Sequence, residues 1–243
     1  GLASGDFLYA AYGASTESWP ALVSCQDLGE CVRSLESNLA LVVQLRNTAF
    51  ADVLRMVMAW ARALQGRTAA PLALSHTEGE GFDEAAYAQT YRDNPFFSMF
   101  HAIARLHIGY LQGDAPQALA AVMAVRRSAH QLTGMIWSVL FDVWGSLTLA
   151  AHIEQAADAQ QRDDWLAQMR ESLASLAVLA QSCAVNFRCH WLLLGAELER
   201  IGGRNDAALD RYEQAIAQAD DAADVQQQAL ANELFATFWL ARG

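Results

Sequence analysis

Metal chemistry would need histidine, cysteine and carboxylate side chains at ligand spacing, and the chain offers six histidines, four cysteines and 27 acidic residues. His101 and His107 stand six apart, which puts them on different faces of a helix, and no H-E-x-x-H occurs. Cys25, Cys31, Cys183 and Cys189 lack the paired C-x-x-C spacing of a zinc site, and four are too few to staple a chain this long, so reduced thiols are expected. No G-x-S-x-G elbow marks a serine nucleophile. The carboxylate pairs Asp163/Asp164 and Asp220/Asp221 lie in polar stretches that read as helix starts and solvated faces rather than as a desolvated general acid. All 16 basic residues are arginine. Without a lysine the chain cannot house a P-loop, a protein kinase core or a Schiff-base enzyme. These residues specify no catalytic site, no metal site and no cofactor.

Asp142 stands apart, because it lies among Trp137, Leu140, Phe141 and Trp144, where an unpaired charge is expensive. An arginine is its expected partner. Ser98, His101 and Arg105 form a polar stripe at spacings of three and four, and Asn186, His190 and Glu197 share one face of a second helix. With Asp142 these six are the candidate binding-groove residues. Trp60, Trp165 and Trp239 sit in apolar stripes and are expected in the core.

The elements that must position these groups are helices. Apolar residues keep a three-four spacing along nearly the whole chain, as in Leu28, Val32, Leu35, Leu39 and Val42, or Phe50, Val53, Val57, Trp60 and Leu64, and no strand-like alternation persists. Asn94 with Pro95, Asp114 and Asn186 read as helix starts, and Gly66, Gly113 and Gly203 follow helix ends. About eleven helices result. The apolar stretch 132–151 carries Asp142 at its middle and reads as a buried core helix, not a membrane span. A net charge of -11 with no basic cluster argues against nucleic acid and anionic membrane surfaces as partners. No signal peptide is visible, and the cytoplasm is the expected compartment.

Two stretches repeat. "NPFFSMFHAIARLHIGYLQGDAPQALAA" (94–121) and "AVNFRCHWLLLGAELERIGGRNDAALDR" (184–211) superpose without gaps, pairing Phe97 with Phe187, Gly113 with Gly203 and Ala118 with Ala208. A weaker match pairs Phe50 with Phe97, Gly66 with Gly113 and Leu72 with Leu119. Each unit is a helix, a glycine turn and a second helix whose alanines allow close approach. Ala208, Tyr212 and Ala215 form one small, large, small face. The segment 66–82 interrupts this pattern as an inserted loop, expected to be a flexible crossing.

These units resemble tetratricopeptide repeats, and "GDFLYA" at 5–10 has the same glycine-aspartate turn. Together with "LTGMIW" and "LANELFATFWLARG" they resemble the tetratricopeptide-like helical region of large multidomain bacterial signalling proteins. Those chains combine a serine/threonine kinase-like domain, a predicted signal-transduction ATPase, this helical region, and GAF and sensor histidine kinase modules. The resemblance implies an all-α fold, an α-α superhelix of a divergent solenoid, spanning 1–243 as one repeat domain of a larger protein. It implies a non-catalytic interaction and regulatory scaffold whose partner is its own ATPase or output domain or a protein segment. The alternative is a small-molecule sensor with its ligand in the superhelical groove. The first helices of the repeat pairs would line that groove. No catalytic residue carries over from the neighbouring domains. The chain opens at Gly1 without methionine, and its ends carry Phe7, Leu8 and Tyr9 at one side and Phe235, Phe238, Trp239 and Leu240 at the other. Apolar surface is expected to stay open there and to drive self-association.

Overall fold

The structure, a computed structural model, describes residues 6–18, 20–24, 27–79, 81–132 and 134–242. Among them are eleven α-helices of eight or more residues, one single-turn helix and two 3-10 turns. The only strand-like pairing among the described residues is an isolated bridge between His76 and Phe82. The all-α expectation holds, with helices packed in sequential pairs as in an α-α superhelix. No helix among the described residues is long and apolar enough to cross a membrane. The turn expected at Gly5 and the thiol of Cys25 lie outside the described residues; Cys183 and Cys189 are free thiols.

The chain forms two compact units, residues 1–137 and 138–243. The first contains α1 (Phe7–Ser18), the one-turn α2 (Ala21–Ser24), α3 (Leu28–Gln44), α4 (Thr48–Leu64), α5 (Glu84–Tyr91), α6 (Pro95–Leu111) and α7 (Ala115–Arg126). Here α3 packs on α4, α6 on α7, α4 against α6, and α1 against both α3 and α4. The second contains most of α8 (Ile136–Ala151), then α9 (Ala159–Ser182), α10 (Ala184–Ile201), α11 (Asn205–Asp221) and α12 (Val225–Leu240). In it α9 packs on α10, α10 on α11 and α11 on α12.

One turn is used five times. After α6, the Gly113 N–H donates to Tyr110 O at 3.1 Å and the Asp114 N–H to Gly109 O at 2.9 Å. The same pair of bonds closes α4 at Gly66 and Arg67, α10 at Gly203 and Arg204, α3 at Arg46 and Asn47, and α11 at Ala223 and Asp224. The first residue of each pair is left-handed, with φ of 71° at Gly66, 69° at Gly113, 72° at Gly203, 57° at Arg46 and 52° at Ala223. This geometry satisfies two carbonyls at the helix end and reverses the chain within two residues. Asn47, Asp114 and Asp224 then cap the next helix at once, accepting from Phe50, Gln117 and Gln227 N–H. The glycine signal finds three of these turns and passes over Arg46 and Ala223. One helix start also shifts: α10 begins at Ala184, with Asn186 already inside it.

The hairpins close on small residues. A Cβ on Gly109 would stand 3.0 Å from Ala118 N and 3.2 Å from Ala118 Cα, so the α6 and α7 backbones meet there. In the second unit Ala208, Tyr212, Ala215 and Ala219 are all fully buried, as their common face requires. Trp60 and Trp165 lie in the core, whereas Trp239 is half exposed, because the inward side of α12 is taken by Leu230, Ala231 and Phe238.

The five-fold turn gives the first prediction. An L-residue at a left-handed position costs roughly 1–2 kcal/mol, so Ala223→Gly and Arg46→Gly each raise stability by about 1 kcal/mol, while Gly113→Ala and Gly203→Ala lower it by a similar amount. Urea midpoints at unchanged denaturant slope measure both directions.

Candidate functional site

In the first unit the residues between α4 and α5 form a strap, not a loose crossing. Although Leu72 aligns with Leu119, no second helix forms after Gly66: Pro71 removes an N–H and disfavours helix before it. The strap instead folds on itself, with Ala69 N–H donating to Ser75 O at 3.0 Å and His76 N–H to Phe82 O at 3.1 Å. It is tied down by two polar centres.

The first centre is Glu84, at the start of α5. Asp83 caps that helix by accepting from Ala86 N–H, which aims the Glu84 carboxylate at the strap and at α6. Its Oε1 lies 2.7 Å from His101 Nε2 and 3.5 Å from Arg105 Nη1, and its Oε2 accepts from Leu74 N–H at 3.0 Å. Arg105 Nη1 also donates to Leu72 O, and Ser75 Oγ accepts from Glu84 N–H at 3.1 Å. His101 and Arg105, two of the candidate residues, are thus brought together through a carboxylate that the sequence reading passes over. In the sequence it shows only as a glutamate directly after a capping aspartate, which marks a helix start and not its reach to α6. Ser98 takes no part and donates to Pro95 O at 3.2 Å. Burial pushes the Glu84 carboxyl up, but the hydrogen bonds from His101 and Leu74 and the Arg105 and His101 charges outweigh it and hold the group below its ordinary value.

The second centre is Arg62, whose side chain is buried on α4. Its Nη2 reaches Glu36 Oε1 on α3 at 3.0 Å, and its Nη1 lies 3.2 Å from Glu78 O, 3.3 Å from His76 Nδ1 and 3.2 Å from Nε2. Beside them runs a continuous aromatic row, His76, Phe82, Tyr87, Tyr91 and Phe97, with neighbouring ring centroids 4.8 to 6.5 Å apart. Tyr87 donates to Phe97 O and Tyr91 to Asp52, and burial pushes both phenols well above their ordinary range. His107 lies deeper, edge-on to Trp60, and burial lowers its imidazole to about 3.

In the second unit the remaining candidates separate. Glu197 is buried and engaged: Arg200 reaches its Oε2 at 2.6 Å while donating to Ala150 O at 3.1 Å, and the Tyr212 hydroxyl donates to Oε1. His190 is half buried one turn from exposed Asn186, so the three share a face and differ in access. Burial lowers the His190 imidazole, against the pull of Asp224, and raises the neighbouring Cys189 thiol to about 12. Asp142 corrects an expectation: its partner is no arginine but the Ser172 hydroxyl, 2.8 Å from Oδ1, with Ser175 one turn further along α9. Burial raises its carboxyl, and the two serines pull it partly back. Two neutral donors suffice because a carboxyl that takes up its proton more readily needs no countercharge. The S-x-x-S spacing on α9 was the available signal.

These arrangements hold helices and strap together, each charged group spending its donors or acceptors on neighbours within its own unit. No group of three or more His, Cys, Asp or Glu among the described residues could hold a metal ion.

Glu84 supplies the second prediction. Its depressed carboxyl contributes stability that is present above its unfolded value of 4.5 and is lost as pH falls through the lower folded value. Glu84→Gln should remove that part of the acid dependence and cost about 1–3 kcal/mol at neutral pH by weakening bonds to charged donors. Denaturant titrations between acid and neutral pH check both. Comparisons of the chain with protein-family models, curated proteins and solved structures give no match.

Proposed function

We propose that this chain is a non-catalytic interaction and regulatory scaffold within a multidomain bacterial signal-transduction ATPase or kinase, as its resemblance to the tetratricopeptide-like region of such proteins implies. It receives a protein segment or packs on its own ATPase or output domain, and passes that state on. The observation that carries the reading is the reversed amphipathicity of α1. This helix turns Ala11, Ala14, Ser15 and Ser18 inward, and leaves Leu8 64%, Tyr9 69% and Tyr12 49% exposed. A helix that needed only its own unit would bury those large side chains, since each removes far more apolar area from water than an alanine does. Outward aromatics with apolar neighbours mark surfaces that are covered by a partner. At the other end of the chain, Val225, Trp239 and Leu240 are likewise exposed on α12, consistent with self-association or with cover by adjoining domains.

The test uses the parent protein. Leu8→Ser, Tyr9→Ser and Tyr12→Ser together should change its nucleotide hydrolysis or phosphotransfer several-fold while leaving the melting temperature within about 2 °C, because exposed positions contribute little to folding. A parent protein whose output ignores the triple substitution would overturn the scaffold reading. Specific stabilisation of the isolated chain by a metabolite, unaffected by the same substitutions, would favour the ligand-sensor alternative.

A further inference from the structure

We propose that His76 is an acid-sensitive latch, holding the strap between α4 and α5 against Arg62 when neutral and releasing it when the imidazole takes up a proton. The inference is independent of the scaffold reading and rests on the placement of a buried guanidinium against the imidazole ring. A donor nearly equidistant from both ring nitrogens lies along neither lone pair, so the guanidinium sits against the ring itself, where a neutral imidazole tolerates a cation and an imidazolium repels it. Arg62 Nη1 lies 3.3 Å from His76 Nδ1 and 3.2 Å from Nε2. Protonation turns both ring nitrogens into donors and sets a second cation against the buried guanidinium.

The surroundings decide whether this repulsion is relieved. From α3, Glu36 reaches Arg62 Nη2 at 3.0 Å and is already half exposed. From the strap itself, the Glu78 carboxylate is held by Arg67 Nη2 at 2.7 Å, and its carbonyl accepts from Arg62. Phe82 stacks on the imidazole with centroids 6.5 Å apart and carries no charge. Burial and the Arg62 charge accordingly lower the His76 imidazole, the Glu78 backbone and carboxylate pulling less strongly the other way.

The sign follows from linkage. A histidine held neutral in the closed form favours closure above its ordinary value of 6.5, and closure weakens as pH falls below it. The Glu84 centre stays intact through that range, because its carboxylate is lost only below 4.5. Release is therefore one-sided: the His76 side lets go first, while Leu72 and Leu74 remain tied to Arg105 and Glu84. The protonated strap swings from the α3–α4 surface on which Glu36 and Arg62 sit, uncovering a buried cation and an acceptor at pH values a cell can reach.

Hydrogen exchange on the whole chain tests this. At about pH 5.5, one unit below the ordinary imidazole value, opening can rise by at most about tenfold over neutral pH after correction for intrinsic exchange. We expect a several-fold rise at the Ala69 and His76 amides, none in α6 or α7, and none anywhere in His76→Gln, whose neutral side chain still offers Arg62 an acceptor. Equal protection at both pH values, or the same rise in His76→Gln, overturns the latch. Should that variant not fold, the imidazole titration of His76 in the unaltered chain decides by itself: a midpoint clearly below 6.5 with strap exchange following it supports the latch, and a midpoint at or above 6.5 overturns it.

Discussion

The rest of the architecture depends on a helix that must stop and reverse within two residues. The bond from the residue after the turn back to the carbonyl five positions earlier can form only if the intervening residue turns left-handed. That condition is met after α3, α4, α6, α10 and α11. In four of the five cases the next residue opens another helix, with no slack in between. Two consequences follow. The paired helices are forced into contact near the turn, where only small residues fit, as at Gly109 against Ala118. Longer side chains must lie across the partner instead, as Arg211 does over Gly195 towards the Trp191 ring and Glu199. After α4 the turn forms but the helix does not follow, and the chain has to find another way to cover α3, α4 and α6.

That other way is polar. A strap without helical hydrogen bonds leaves backbone groups that must be satisfied one at a time. The chain meets this with arginines placed on the neighbouring helices. Arg62 bonds Glu78 O, Arg105 bonds Leu72 O, and Glu84 accepts from Leu74 N–H. A guanidinium can serve a carbonyl and a carboxylate at once, which a lysine ammonium does with less fixed geometry. A chain whose basic residues are all arginine thus gains in its inserted segment what its hairpins obtain from packing. The cost is pH sensitivity, because every such centre includes a histidine or a carboxylate.

The helices and three of the five turns were legible in the sequence because they depend on local facts: three-four periodicity, capping side chains and glycine. The turns at Arg46 and Ala223 were not, since their left-handed residues carry no glycine signal and are held there by the helix ends on either side. The common face of Ser98, His101 and Arg105 follows from their spacing, but Glu84, which meets the last two, comes from α5, whose approach that spacing does not give. For Asp142 the sequence showed that the carboxylate needed company. It could not show which face of α9 would arrive, and so the two serines took the place expected of an arginine. Glu197 illustrates the same limit from the other side. Its position on the face of α10 was legible, whereas its burial is set by Tyr212 on the next helix, whose hydroxyl reaches back to it.

The buried polar groups share a feature that bears on what the fold can transmit. Glu197 is bonded from its own helix by Arg200 and from α11 by Tyr212, and Arg200 also reaches Ala150 O on α8. In the first unit Arg62 spans α3, α4 and the strap. Apolar packing between helices tolerates small sliding motions, because dispersion contacts are many and individually weak. A buried carboxylate or guanidinium does not, since displacing it by an ångström leaves a charge without its partner. Helices joined by such centres move together, and those joined only through alanine and leucine faces can shift. The tie of α1 to α3 is neutral, Asn38 donating to Ser18 Oγ at 2.7 Å beside alanine contacts, so motion imposed on α1 is taken up there ahead of the charged Arg62 centre that fixes α3 to α4.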